Sequence, residues 1–224
     1  TNETGAFDLR EELKQKGYWV HSRTGDIRDR DTLYDVFSDF KPQVVFHAAA
    51  LKHVTPSEEY PEEVISTNIQ GTWNIIREAK KWECLEKFVF ISTDKAVNST
   101  TTMGASKRFS ELVTINQGKR FVVVRFANVL GSRGSVIPIW ERQINSGEAV
   151  TITDEKMERY FMTIEEACQL VIKAGEMGRG GEIFILNMGK PVKILDFAKE
   201  IIQQIRSEAP IQIIGKRLGE QLSE

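Results

Sequence analysis

Short apolar runs alternate with longer segments of helical period along most of this chain, and that alternation leaves few folds open. Residues 18–21 (YWVH), 44–50 (VVFHAAA), 88–93 (FVFIST), 121–126 (FVVVRF) and 182–187 (EIFILN) are rich in Val, Ile and Phe without strict alternation. Such runs suit strands buried on both faces, which argues for a parallel sheet covered by crossover helices and against a one-sided antiparallel sheet. The spacing predicts helices over 6–16, ended by Gly17, over 30–40, from Pro61 to Trp82, over 103–117 and from Thr163 to Met177. Pro61 suits a first helical turn, where its missing N–H is not needed.

After residue 126 the texture changes, as GSRGS, INSGEAV and GRGGE break the chain more often. A boundary near residue 130 is expected, with 131–224 a smaller α/β lobe and 160–180 packing back on the first unit. The 224 residues are 41% hydrophobic and 28% charged, enough for an ordinary core. A net charge of −2, with Lys and Arg scattered, leaves no electrostatic footprint for nucleic acid or an anionic membrane. Cys84 and Cys168 lie far apart inside helical patterns, as free thiols in a reducing compartment would, and no zinc ligand set accompanies them. No apolar run reaches the roughly 18 residues of a membrane span, and the first residues lack a signal-peptide pattern. The chain reads as cytoplasmic.

The richest chemistry lies between Ser92 and Lys107, STDKAVNSTTTMGASK. Asp94 and Lys95 follow a strand, where open α/β sheets place ligands. Taken alone, a Ser-Thr-Asp-Lys cluster also reads as a helix cap and turn. Lys52 and His53 follow the 44–50 strand in the same way, with a solvated loop as the bland reading, whereas His21 and His47 read as packing residues.

The runs GDIRDRDTL, VVFHAAALKHV, NIQGTWNII, FISTDKAVN, MGASKR, VRFANVLGSRGSVIP, RYFMTIEEA and GGEIFILNMG, in that order, resemble the extended short-chain dehydrogenase/reductases. Within them the match is to UDP-N-acetylglucosamine 4,6-dehydratases of the CapD-like polysaccharide biosynthesis group. The resemblance implies a Rossmann-like doubly wound sheet over 1–130, NAD or NADP as cofactor, a UDP-sugar substrate and a homo-oligomer. It also implies two departures. The glycine-rich turn that cradles the pyrophosphate is missing, so the chain resembles a relative without its first β-α-β unit, and any membrane spans of relatives would lie outside it. The tyrosine expected four residues before Lys107 is Met103, and a thioether carries no proton. Met103 is then either a core residue or a contact beside the nicotinamide or sugar.

By this resemblance Asp94 protonates the leaving hydroxyl on carbon 6 and Lys95 takes the carbon 5 proton. Those roles need a carboxyl kept protonated and a lysine held neutral by their surroundings. Lys107 matches the lysine on the nicotinamide ribose, and Thr93 the hydroxyl that holds the carbon 4 oxygen. Asp26 and Ile27 match a pair flanking the adenine, with a turn aspartate as the alternative for Asp26. Ala48, Ala49 and Ala50 match a strand end whose small side chains let the dinucleotide approach, and Asn68 a helical residue near the site. For the substrate the matches are Lys52, Asn128, Arg133, Val136 and Ile137, with Arg159 and Arg217 for the diphosphate and Glu220 for ribose hydroxyls. Leu218 and Gln221 stand where relatives carry the proline and lysine of an RPGEKL-like run, which weakens Gln221 as a nucleotide contact. A UDP-hexose 4-epimerase and a catalytically silent nucleotide binder are the alternatives.

Overall fold

The computed structural model describes residues 3–132 and 134–223. Four parallel strands form the central sheet: β1 (Val44–His47), β2 (Lys87–Thr93), β3 (Phe121–Phe126) and β8 (Ile183–Ile185), in the order β1-β2-β3-β8. Register runs from Val44 opposite Lys87 and Phe88 opposite Phe121 to Val123 opposite Ile183. Parallel neighbours need crossovers, and helices supply them on both faces.

Side-chain alternation along β2 shows why the runs carry no polar face. Phe88 and Phe90 point into a cluster with Leu33 and Phe37 of α2 (Arg30–Phe40) and Ile75, Ile76 and Ala79 of α5 (Thr72–Ala79). Val89 points the other way, with Val122 and Val124, against Ala167, Val171 and Ala174 of α8 (Ile164–Met177). Helix α8 thus lies on the central sheet although it follows residue 130, and it opens on a capping box in which Thr163 and Glu166 satisfy each other's backbone N–H.

The remaining elements form a second cluster. Strands β5 (Val150–Ile152) and β10 (Ile211–Ile213) pair in parallel beside α7 (Val136–Asn145) and α9 (Ile194–Gln204). They enclose Trp140, whose indole N–H donates to the Thr151 carbonyl at 2.9 Å. Short strands β4 (Asn128–Val129), β6 (Glu158–Arg159), β7 (Phe161–Met162) and β9 (Val192–Lys193) stitch this lobe to the sheet end.

Differences from the sequence expectation have local causes. Residues 18–21 form no strand: Trp19 is 84% exposed, and no described strand lies alongside to complete a ladder. The outer edge of β1 is open for the same reason, leaving Phe46 48% exposed. The long helix predicted from Pro61 is interrupted. It runs as α4 (Pro61–Val64), a π-helical stretch Ile65–Gly71 and then α5, after a short α3 (Val54–Glu59). At Gly71 a Cβ would meet Ile27 Cδ1 at 2.5 Å, so only glycine lets Ile27 approach. Helix α1 (Glu3–Gln15) buries none of its residues. Among the described residues no helix is long and apolar enough to cross a membrane.

Candidate active site

A cavity of about 790 Å³ opens where β2 and β3 end and the lobe folds over them. That size suits a small-molecule or cofactor site. Its floor begins at the end of β2. Thr93 caps a 3₁₀ turn, Asp94–Ala96, which turns the chain sharply so that Asp94 and Lys95 face the cavity. The Thr93 hydroxyl donates to Asp94 Oδ1 at 2.8 Å, as does the Lys95 backbone N–H, and Lys95 Nζ lies 3.2 Å from the same oxygen. Asp94 Oδ2 is buried with no hydrogen-bond partner among the described residues. Such an orphan inside a cavity is costly unless a ligand meets it. Lys95 Nζ also reaches Asn128 Oδ1 at 3.4 Å, and the Asn128 amide is oriented by donating to the Tyr160 carbonyl at 3.2 Å.

Helix α6 (Thr102–Ile115) closes one side. Thr101 caps it by accepting from the Gly104 N–H, and a Cβ at Gly104 would lie 2.3 Å from the Lys95 carbonyl oxygen. Glycine there lets the helix start directly against the Asp94–Lys95 turn. Met103 is 3% exposed and Lys107 is 7% exposed, and both line the cavity. Lys107 Nζ donates to the Ile91 carbonyl and stands 4.2 Å from the Phe90 ring centroid. Burial pulls its pKa down to about 8, with Glu111 opposing the fall. Burial, then the Lys107 charge, holds His47 neutral with a pKa of about 3; its Nε2 pairs with Thr72 Oγ1 at 2.8 Å. Burial also lowers Lys52, on the cavity wall.

Asn68 sits in the π-helical stretch, and its amide accepts from the Leu51 N–H at 2.8 Å and donates to the Leu51 carbonyl at 3.0 Å and to Ser106 Oγ at 2.9 Å. It braces the segment after β1, whose Ala48 and Ala50 line the cavity; Ala49 and Asn68 itself do not. Asp26 and Ile27 also lie outside the lining. The Asp26 carboxylate takes the Arg28 N–H at 2.9 Å and the Arg28 guanidinium, which hold its pKa below the usual carboxylate range. Asp26 therefore closes a turn in this structure.

The lobe supplies the opposite wall through Val136 and Ile137 at the start of α7, with Arg159, Arg217 and Glu220. Arg133 lies outside the described residues. The Arg159 guanidinium donates to the carbonyls of Glu158, Gln221 and Leu222 at 2.7, 2.9 and 3.2 Å, so it ties down the segment 217–223. Glu220 accepts from the Arg217 backbone N–H at 3.0 Å.

Sequence reasoning singled out His53 and Gln221 but missed Glu58, Asn98 and Thr100, and it missed the contacts that hold all five. The His53 ring packs where a Gly134 Cβ would stand, 2.7 Å from Cε1. Gln221 donates to Thr100 Oγ1 at 3.2 Å and to the Asn98 carbonyl at 3.4 Å, joining the last segment to the loop before α6. Glu58 accepts from the Thr102 N–H at 2.6 Å. Only the glycines of GSRGS signalled any of this in advance, as a tight turn. Among the described residues no three His, Cys, Asp or Glu side chains converge to hold a metal.

The family model described as "Polysaccharide biosynthesis protein" matches residues 1–224. The chain is 49% identical over 211 residues to the probable polysaccharide biosynthesis protein EpsC of Bacillus subtilis, covering 91% of this chain and 35% of that protein. The chain thus spans about a third of that relative's length. At 38% identity it matches a UDP-glucose 4-epimerase of Rickettsia bellii (88% of this chain, 58% of that one) and an inverting UDP-N-acetylglucosamine 4,6-dehydratase of Campylobacter jejuni (89% and 60%). Among solved structures, Pen from Bacillus thuringiensis superposes with a TM-score of 0.90 at 36% identity, covering 99% of this chain and 70% of that one.

Proposed function

The chain belongs to the polysaccharide biosynthesis protein family, and from that premise we propose that it carries the active site of a nicotinamide-dependent UDP-N-acetylglucosamine 4,6-dehydratase. One observation supports this reading above the others: a carboxylate, a lysine and a hydroxyl on consecutive residues, Thr93, Asp94 and Lys95, share one cavity with Lys107, and the carboxylate keeps one oxygen unpartnered. Dehydration across carbons 5 and 6 needs an acid for the leaving hydroxyl and a base for the carbon 5 proton. Asp94 Oδ2 is the acid's oxygen, because Oδ1 is already held by Thr93 and Lys95. Lys95 Nζ is the base, held at its reach by Asn128.

The residues present fit the nicotinamide half of the cofactor. Ala48 and Ala50 offer a wall without bulk, and Lys107 offers a buried cation beside it. When bound there, the cofactor supplies a hydride acceptor for carbon 4 and a donor for carbon 6. Lys107 orients its ribose, Thr93 holds the carbon 4 oxygen and passes its proton to Asp94, whose Oδ1 the Thr93 hydroxyl already meets, so that Asp94 regains the proton it gives to the leaving hydroxyl; Met103 excludes water from that face without moving a proton. Val136 and Ile137 then pack on the sugar while Arg217 faces the diphosphate, which a guanidinium binds with two N–H groups.

A 4-epimerase is the competing reading, since relatives of both kinds match at 38% identity. Epimerisation uses no acid at carbon 6 and leaves the mass of the substrate unchanged. The full-length protein incubated with UDP-N-acetylglucosamine and NAD or NADP should yield a product lighter by one water, and Lys95→Ala should reduce that rate by about 10²–10⁴-fold. An isomer of unchanged mass, formed equally by Lys95→Ala, would replace this reading with epimerisation.

A further inference from the structure

Glu111 is fully buried on α6, one turn after Lys107, and nothing in the proposed chemistry uses it. Its carboxylate nonetheless accepts four hydrogen bonds. Arg125 on β3 grips it with Nε at 2.6 Å and Nη2 at 2.5 Å, Arg108 adds Nη1 at 3.0 Å, and the Ser92 hydroxyl donates to Oε1 at 2.6 Å. Ser92 directly precedes Thr93. Lys107, from the same face of α6, holds the carbonyl of Ile91. Two residues of one helix therefore grasp two successive residues of β2, immediately before the strand turns into Asp94 and Lys95.

We infer that Glu111 is a positioning residue: by tying Ser92 of β2 and Arg125 of β3 to α6, it sets where Thr93, Asp94 and Lys95 stand relative to Lys107. Apolar side chains of similar size often replace a buried ion pair with no loss of stability, so stability alone is a weak account of Glu111 and its arginines. Here its four bonds span the three elements that carry the site. Burial pushes the Glu111 pKa up, but the hydrogen bonds from Arg125, Ser92 and Arg108 outweigh it, so Glu111 is held ionised. Its charge is also the counterweight to the buried ammonium of Lys107. The titratable group facing Lys107 from β1 is His47, held neutral, while Arg125 from β3 is bound to Glu111 itself. Removing the Glu111 charge therefore leaves Lys107 easier to deprotonate.

The test uses the full-length protein and rests on the proposed dehydratase reaction for its kinetic arm. Glu111→Gln keeps the shape and removes the charge; it should lower kcat about 10–100-fold with KM within about threefold, and move the alkaline limb of kcat/KM to lower pH. Ser92→Ala, which removes one hydroxyl and leaves the Arg125 pair, should lower kcat about 3–10-fold without moving that limb. Hydrogen exchange of the amides of residues 91–96 should quicken in both variants, and this needs no substrate. If the wild-type protein removes no water from the sugar nucleotide, the functional reading falls while exchange still tests Glu111. Wild-type kcat and exchange in Ser92→Ala, together with an unmoved alkaline limb in Glu111→Gln, would overturn the inference.

Discussion

The two walls of the cavity are built in opposite ways. On the sheet side, Thr93, Asp94, Lys95 and Lys107 hang from β2 and α6, and their side chains are fixed by one another and by buried groups beneath them. On the lobe side, Val136 and Ile137 open α7 just after a turn, and Arg217 and Glu220 sit on a strap whose shape depends on backbone carbonyls, glycines at positive φ and the anchoring guanidinium of Arg159. Proton transfer tolerates little misplacement, whereas recognition of a flexible nucleotide profits from adaptable loops. The contrast suggests that substitutions on the first wall should move kcat and those on the second should move KM.

The largest effect should come from Asp94→Asn, which removes the proposed acid while keeping size. A loss of about 10²–10⁴ in kcat with little change in melting temperature is expected in steady-state assays of the full-length enzyme. A change confined to KM would break the contrast. On the opposite wall, Arg159→Ala should raise KM about tenfold and destabilise by about 1–3 kcal/mol, because the carbonyls of Gln221 and Leu222 lose their donor. A fall in kcat alone would show that the strap belongs with the chemistry.

Lys107 sharpens the comparison through pH. Its folded pKa of about 8 lies below the ordinary lysine value of 10.5, so the penalty for burying its charge is fully present below pH 8 and is relieved as pH rises towards 10.5. This group alone therefore makes stability rise over that window, and Lys107→Met should flatten the rise in urea melts taken from pH 8 to 10.5. Activity should move the opposite way, falling above about pH 8 as Lys107 loses the charge proposed to orient the cofactor. His47 acts at the other end: its folded pKa of about 3 lies below 6.5, so stability is lost as pH falls from 6.5 towards 3, and His47→Gln should make that slope shallower. The smallest effect is Thr163→Ala, which opens the capping box of α8 at a residue that does not itself line the cavity. It should cost about 1 kcal/mol in a denaturant melt and leave both kinetic constants alone.

What the sequence made legible follows the same division. Strands β2 and β3 were readable as apolar runs and helices α2, α6 and α8 as segments of helical period, signals each element carries within itself although its packing partners lie far away in sequence. Asp94, Lys95, Met103 and Lys107 lie on one short run, so locating the run located them together. Helix α7 escaped because Pro138 and the short VIPIW stretch resemble a strand or turn, and α9 because it follows β9 without a side-chain cap. Residues 18–21 have strand composition but no described partner, and a ladder cannot be read from one strand. The binding of Arg159 to the last segment joins residues more than sixty positions apart, and no local pattern announces it.

The π-helical stretch Ile65–Gly71 carries an arithmetic consequence. A π turn takes in one residue more than an α turn, so the helix before it and the helix after it are out of phase by about 100°. With that extra residue, the Asn68 amide can face Leu51 and Ser106 while Ile75 and Ile76 face the sheet. Deleting a single residue there would let the helix run on in one phase, and the apolar stripe and the Asn68 brace could not both keep their partners. An exposed position of this stretch such as Ile65 should therefore accept substitution far more readily than the stretch accepts a change in its length.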